Sequence, residues 1–288
     1  MRLDFVKMHG IGNDFIMVDL YSRQLPNRIH FDEIAKILCR RHFGIGADGL
    51  ILILPSEKYE FKMRIFNFDG SEAQMCGNGI RCFAKFVYEN NFTSNTKFSV
   101  ETLAGEIIPE LIFGCKGNKV IEGVRVDMGI PRLMETEIPM IGNSDRRIID
   151  DDILLENGEH YRITCVSMGN PHCVIFTEGV ENFPVQEIGP LIEKNVLFPE
   201  KTNVEFIQPV NENEIVFRVW ERGVGETLAC GTGASAAVVA GVLNHRIKRE
   251  ATVHLRGGDL RIEWKESDGH VYMTGPAENV FQGSVWID

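Results

Sequence analysis

The 288-residue sequence has no Cys-x-x-Cys spacing among its seven cysteines (39, 76, 82, 115, 165, 173 and 230), and their number is odd. That argues against both a disulfide framework and a structural zinc site, so the thiols are expected to be reduced. The eight histidines form no His-x-x-x-His or Glu-x-x-His arrangement, and nothing recommends a metal. No cluster of Lys or Arg exceeds a few positions, and thirty basic residues face forty-one acidic ones for a net charge of -11. No nucleic acid and no membrane partner are therefore expected. The opening Met1-Arg2-Leu3-Asp4-Phe5-Val6-Lys7 carries early charges and no apolar core of a secretory signal, so a cytoplasmic location is expected. The longest apolar run, 234–243, is about half the length that spans a bilayer, and no transmembrane helix is expected.

What is present is an ordinary globular composition, 44% hydrophobic and 25% charged, in a chain long enough for two domains. Two strands are read at the start, joined by a glycine-rich turn that holds Asn13, and an amphipathic helix over 31–41. The loop His42-Phe43-Gly44-Ile45-Gly46-Ala47-Asp48-Gly49 lacks a Gly-Lys-Ser/Thr ending and a strand-to-helix context, so it is not read as a nucleotide site. Strands are expected at 61–67, 97–103, 106–113 and 119–127, with a helix from Cys76 to Tyr88. The segment 129–152, with Pro131, Pro139 and a charged patch at 144–152, reads as the domain boundary. Beyond it, strands at 161–167 and 173–177 flank Met168-Gly169-Asn170-Pro171-His172. A short helix at 189–195, strands at 203–208 and 215–220, a helix after Cys230 and strands at 251–255 and 259–264 follow.

The two halves repeat each other. Arg64 lies twelve residues before Cys76 and Arg218 twelve before Cys230, while Glu72 and Glu226 each lie four before their cysteine. The cysteines are 154 apart, Gly12-Asn13 and Gly169-Asn170 are 157 apart, and Gly105-Glu106 and Gly258-Asp259 are 153 apart. The fold expected is α+β: two pseudo-symmetric domains, each a mostly antiparallel β-sheet wrapped around a central apolar helix, with the active site in the cleft between them. The N-terminal repeat takes 1–129, completed by the C-terminal segment 277–288, and the C-terminal repeat takes 130–276.

Cys76-Gly77-Asn78-Gly79 and Cys230-Gly231-Thr232-Gly233 both place a thiol at the start of an apolar helix. The helix dipole and unpaired N–H groups there are expected to lower the thiol pKa. The glycines let the backbone approach a bound carboxylate closely. A carboxylate held between two such helix ends puts its α-carbon between two sulfurs. One, as thiolate, removes a proton from one face; the other, as thiol, delivers a proton to the opposite face. Converging N–H groups stabilise the enolate-like charge, and losing one such donor costs about 3 to 4 kcal/mol of barrier. No cofactor is required. Against this stand plainer readings: Cys39, Cys82, Cys115, Cys165 and Cys173 as core residues, the asparagines as turn formers or caps, Glu221-Arg222 as an exposed ion pair, and His172 as a hydrogen-bonded loop residue.

Across essentially the whole chain the sequence resembles the diaminopimelate epimerases, within a wider group that includes proline racemases. The resemblance rests on Gly12-Asn13-Asp14-Phe15, Gly44-Ile45-Gly46-x-Asp48, Asn67-x-Asp69-Gly70-Ser71, Met75-Cys76-Gly77-Asn78-Gly79-x-Arg81-Cys82, Gly169-Asn170-Pro171-His172, Trp220-Glu221-Arg222-Gly223-x-Gly225-Glu226-Thr227 and Ala229-Cys230-Gly231-Thr232-Gly233. It implies cofactor-independent interconversion of LL- and meso-2,6-diaminopimelate, a step toward lysine and peptidoglycan precursors. By that resemblance Cys76 acts on the LL-isomer and Cys230 on the opposite face. Gly77, Asn78, Gly231 and Thr232 hold the reacting carboxylate. Asn13, Asn67, Asn170, Asn203 and Arg222 hold the substrate, chiefly its distal end, and Glu221 and His172 support the amino group and the thiols. One departure is that some members carry Gln after the Gly-x-Gly-x-Asp motif, where this chain has Gly49. Partner expectations are a small-molecule substrate and a possible homodimer. The rival readings are a proline or hydroxyproline racemase or epimerase with the same cysteine pair, a thiol-disulfide redox protein, and a non-enzymatic amino-acid-binding protein.

Overall fold

The structure, a computed structural model, describes residues 2–23, 29–114, 120–142 and 145–287. The chain divides into two compact units, 1–126 with 275–288 and 127–274. The first opens with a hairpin of β1 (Arg2–Gly10) and β2 (Asn13–Asp19), followed by α1 (Phe31–Leu38), β3 (Gly49–Leu54), β4 (Phe61–Asn67), β5 (Glu72–Ala73), α2 (Gly77–Glu89), β6 (Val100–Thr102), β7 (Gly105–Ile107), β8 (Glu110–Phe113) and β9 (Ile121–Asp127). The hairpin loop is Ile11-Gly12, with φ of 48° and 86°. Two consecutive left-handed residues are what a two-residue turn needs to match the twist of its strands.

The second unit contains β10 (Asp151–Leu154), β11 (His160–Ser167), β12 (Pro171–Phe176), α3 (Val185–Glu193), β13 (Asn203–Asn211), β14 (Glu214–Glu221), β15 (Gly225–Thr227), α4 (Gly231–Leu243), β16 (Glu250–Leu255), β17 (Gly258–Trp264) and β18 (Val271–Gly275). The last strand, β19 (Glu278–Trp286), pairs antiparallel with β1 and so belongs to the first unit.

The units share one strand order and one pattern of directions. In the first, β1-β2-β3-β4-β6-β7 lie side by side with β5 on β4; in the second, β11-β12-β13-β14-β16-β17 do so with β15 on β14. The parallel pairs fall at matching places, β2 with β3 and β4 with β6, then β12 with β13 and β14 with β16. The remaining pairs in these runs are antiparallel. Arg64 clasps Glu72 through Nε at 2.7 Å, and Arg218 clasps Glu226 through Nε at 2.8 Å, so the duplicated ion pair ties β4 to β5 and β14 to β15.

Sequence pattern accounts for the layers. β3 is a near-continuous apolar run, Gly-Leu-Ile-Leu-Ile-Leu, with its first five residues buried, as a strand with a parallel neighbour and two covered faces requires. In α1, Ile34, Ala35 and Leu38 are buried while Ile37 faces solvent. α4 has Ala, Val and Gly on every side and is buried over 233–241; a helix apolar all round has no solvent face to offer. It touches β11, β12, β13, β16 and β17, and α2 touches β1, β2, β3 and β8.

Two sequence expectations shift. The run 106–113 is two strands, β7 and β8, on either side of Pro109, whose missing N–H cannot serve a ladder. The helix expected at 189–195 is α3, starting four residues earlier. Gly189 lies inside it because a Cβ there would meet Trp220 Cβ at 2.6 Å; the glycine answers a tertiary contact and does not mark a helix start. Among its described residues the segment 129–152 includes a 3-10 turn, Glu135–Glu137, and the beginning of β10, while Ser144 lies outside the described residues.

Cys39, Cys82, Cys165 and Cys173 are buried; Cys115 lies outside the described residues. Burial pushes the Cys39 and Cys82 thiols up to about 12 and raises Cys173 as well. Between about pH 8.5, where an unfolded thiol ionises, and about 12, the native state keeps protons that the unfolded chain releases. Stability then falls as pH rises, by about 1.4 kcal/mol per unit for each such thiol. Urea unfolding of the reduced protein is expected to show a loss of several kcal/mol between about pH 8 and pH 10.5; an unchanged midpoint over that range would contradict the buried-thiol account.

Candidate active site

In the first unit the site is built on the β1–β2 turn and the start of α2. Cys76 is the N-cap of α2, in extended conformation, and its sulfur accepts from the Gly79 N–H at 3.4 Å. An N-cap group that occupies one of the four orphan N–H groups of a helix is held tightly in place. Asn13, the first residue of β2, donates from Nδ2 to Asp48 Oδ2 at 2.8 Å. With its NH2 committed to a carboxylate, its Oδ1 faces α2 and accepts from Asn78 Nδ2 at 3.1 Å and from the Cys76 thiol at 3.6 Å.

Asp48 is itself anchored. Its N–H donates to Asp14 Oδ1 and the Asp14 N–H returns to its Oδ2, both at 3.0 Å, and Arg41 bridges the two carboxylates at 2.8 Å each. Lys7, buried, reaches Asp14 at 2.7 Å. Burial alone would raise the Asp14 pKa, but the bonds from Arg41 and Lys7 outweigh it and hold the carboxyl below its usual range. Asn67 ends β4 opposite Gly49 and donates to Ser71 Oγ at 3.0 Å across its turn. A Cβ at Gly49 would lie 2.9 Å from the Phe66 carbonyl oxygen, so this backbone has no room for the Gln carried there by some proteins of the resembling family. The Gly77 carbonyl accepts from the buried Arg81 at 3.1 Å, which also donates to Pro276 O at 3.1 Å.

In the second unit Cys230 is the N-cap of α4 and is buried. Its sulfur lies 3.5 Å from Thr232 Oγ1, and Asn170 Nδ2 donates to the same hydroxyl at 3.3 Å. Asn170 Oδ1 accepts from His172 Nε2 at 3.1 Å, and His172 Nδ1 lies 2.6 Å from Glu205 Oε1. His172 and Glu205 are both fully buried. Gly231 begins α4 and its carbonyl accepts from Ser235 Oγ at 2.9 Å.

Glu221 ends β14 and accepts from the Thr227 hydroxyl, while Arg222 is exposed and donates to the Glu200 carbonyl at 3.1 Å. The two neighbours therefore part company and do not form a surface ion pair with each other. Asn203 is buried, donating to Pro171 O at 2.9 Å and accepting from the Arg222 N–H at 3.0 Å. It fixes the turn that carries Arg222 and keeps one donor and one acceptor free for other use. Glu193 supports that turn from below, taking the Trp220 indole N–H at 2.8 Å and the Gly223 N–H at 3.0 Å.

The lowered thiol pKa expected from helix position alone does not hold at Cys230. Burial raises it well above the ordinary value, with the Glu221 and Glu205 carboxylates adding to the rise. The helix dipole acts only over the first turn and is worth about 1 kcal/mol, whereas full desolvation of an ionised group costs several. Glu221 is likewise raised, by burial, against the opposing bonds from Thr227 and Cys230. Glu205 is raised by burial and opposed by His172. Cys230 is therefore a thiol near neutral pH.

Sequence reasoning missed Glu205 and gave no role to Asp14 and Asp48. Glu205 had a signal, a charge in the middle of the otherwise apolar Val204-Glu205-Phe206-Ile207, although the sequence does not show which histidine it meets.

Among the described residues no group of three or more His, Cys, Asp or Glu is placed to hold a metal ion, and no helix is long and apolar enough to cross a membrane. The diaminopimelate epimerase family model matches residues 5–134 and 164–280. A diaminopimelate epimerase of Moorella thermoacetica is 56% identical over 286 residues, covering 99% of this chain and 100% of that protein. Among solved structures, a phenazine biosynthesis protein of the PhzF family from Bacillus anthracis superposes with a TM-score of 0.71 at 17% identity, covering 100% of both chains. A hydroxyproline epimerase from Agrobacterium vitis does so at 0.69 and 15%, covering 99% of this chain and 91% of that one. At such identity these two structures speak for the fold, while the relative and the family model speak for the lineage. The chain is an isomerase and belongs to the diaminopimelate epimerase family.

Proposed function

We propose that this protein interconverts LL- and meso-2,6-diaminopimelate without a cofactor, with Cys76 and Cys230 handling protons on opposite faces of the α-carbon. The observation that carries the reading is the duplicated arrangement itself: each unit presents a cysteine as N-cap of its buried helix, beside an asparagine anchored by further polar groups. The substrate carboxylate is held by the first-turn N–H groups at Gly77-Asn78 and Gly231-Thr232, which also receive the charge that develops as the α-proton leaves. The raised pKa of Cys230 makes it the proton donor toward the meso product. Cys76 removes the proton from the LL-isomer. After one turnover Cys76 carries the abstracted proton and Cys230 has given one up, so solvent exchange restores the starting state.

The distal end of the substrate carries a second carboxylate and a second ammonium. Arg222, exposed on its turn, supplies a guanidinium for the carboxylate, and the amides of Asn67 and Asn203 set the stereochemistry there. On this reading the enzyme serves the route to lysine and peptidoglycan precursors. The test is to incubate LL-diaminopimelate with reduced enzyme in D2O and follow the α-carbon by NMR. Deuterium is expected in the meso product at the inverted centre; absence of incorporation, or turnover of proline in place of diaminopimelate, overturns the proposal.

A further inference from the structure

Because the two units share a topology, the places where their sites differ are informative. Ile51 in β3 and Glu205 in β13 are counterparts: each is paired with the residue four past its asparagine, Met17 and Val174. Each also lies against the third residue of the catalytic helix. A Cβ on Gly79 would sit 3.0 Å from Ile51 Cδ1, and one on Gly233 would sit 2.8 Å from Glu205 Oε1 and 3.3 Å from Cys230 Sγ. Phe15 and His172, each two residues past its asparagine, are counterparts in the same way. Where the first unit has Phe and Ile, the second has a fully buried His–Glu pair. Burying a carboxylate is costly, and Glu205 Oε2 has no hydrogen-bond partner among the described residues.

The hydrogen-bond directions along the chain show what that cost secures. The Asn170 Oδ1 facing His172 Nε2 can only accept, so Nε2 carries a proton. The Nδ1–Oε1 contact then shares one further proton, whether drawn as carboxylate with imidazolium or as carboxylic acid with neutral imidazole. Asn170 in turn points its NH2 at Thr232, whose hydroxyl proton remains for the Cys230 sulfur. Asn13 is oriented the other way. Asp48 takes its NH2, so its oxygen faces Cys76.

We infer that Glu205 is a positioning residue: by keeping His172 a donor at Nε2 it sets the Asn170 amide opposite to that of Asn13, and so aims a hydroxyl donor at Cys230. A donor stabilises the sulfur anion formed when Cys230 gives up its proton. The inference rests on the proposed proton-transfer reading of Cys230 for its catalytic meaning, but its structural core does not depend on substrate.

The test combines 15N NMR of labelled histidine with kinetics on wild type, Glu205→Gln and Glu205→Ile. In wild type at neutral pH the His172 Nε2 is expected to carry a proton, as its contact with the Asn170 amide oxygen requires. Glu205→Gln keeps that proton, because the Gln NH2 donates to Nδ1, and retains kcat within about threefold. Glu205→Ile, which installs the counterpart's residue, loses the fixed tautomer and lowers kcat by about tenfold or more with little change in KM. An unprotonated Nε2 in wild type overturns the inference, as does wild-type kcat in Glu205→Ile. If Glu205→Ile does not fold, the tautomer in wild type and Glu205→Gln decides alone. If wild type fails to turn over diaminopimelate, the proposed function falls while the tautomer measurement still stands.

Discussion

Replacing Cys76 or Cys230 by alanine is expected to lower epimerisation by roughly 10²- to 10⁴-fold, the usual range for a positioned general acid or base. Neither change opens a large cavity, so the folded state should persist and thermal unfolding should stay near the wild-type midpoint. The two variants are expected to fail in different ways. With Cys230→Ala, Cys76 can still take the α-proton of the LL-isomer and return a solvent proton to the same face, so deuterium enters LL-diaminopimelate without inversion. With Cys76→Ala the same holds for the meso isomer through Cys230. Following the α-proton of each isomer in D2O for both variants therefore assigns each thiol to a face. Inversion at the wild-type rate in either variant would sink the two-base account, and exchange in the opposite pairing would reverse the assignment.

Gly233→Ala is expected to give the next largest loss, about 10²-fold in rate, through displacement of groups and not removal of one. Its Cβ would lie 2.8 Å from Glu205 Oε1, 3.2 Å from Phe217 Cζ and 3.3 Å from Cys230 Sγ. Glu205 is fully buried and bonded to His172, so it has nowhere to retreat, and the cost falls on the helix start that carries Cys230. Overpacking of this kind destabilises by about 1–3 kcal/mol, offset in part by the better helix propensity of alanine. Gly241→Ala is the control. It lies in the same helix and crowds Ile247, away from the polar site, so it should change stability with kcat intact. Equal kinetic losses in both variants would mean that helix packing, and not the Cys230 surroundings, sets the rate.

The repeat was legible from the sequence because its landmarks are local necessities. A thiol before Gly-x-Gly, a Gly-Asn turn and an Arg–Glu clasp each announce themselves within a few residues, and their common spacing joins them. The pairing of Arg64 with Glu72 and of Arg218 with Glu226 follows from strands that are neighbours in sequence. The state of Cys230 was not legible. Its pKa is set by burial and by Glu205 and Glu221, which arrive on two different strands, and helix position alone gave the wrong sign. The orientations of Asn13 and Asn170 were hidden for the same reason, since Asp48 and His172 decide them and similar Gly-Asn turns give no hint that they differ. Gly189 misled because a glycine that makes room for Trp220 looks, in sequence, like a helix boundary.

The position of β19 bears on how the polypeptide is born. The second unit is one continuous segment, 127–274, whereas the first begins the chain and also needs its last residues. On a ribosome, domains generally form in the order in which they emerge. Here the unit synthesised first must finish last, because the outer edge of β1 stays open until 278–286 has been translated. An unpaired edge strand is a template for pairing with another chain. A chain truncated at residue 275 and released should therefore hold a folded second unit and an unfinished first one.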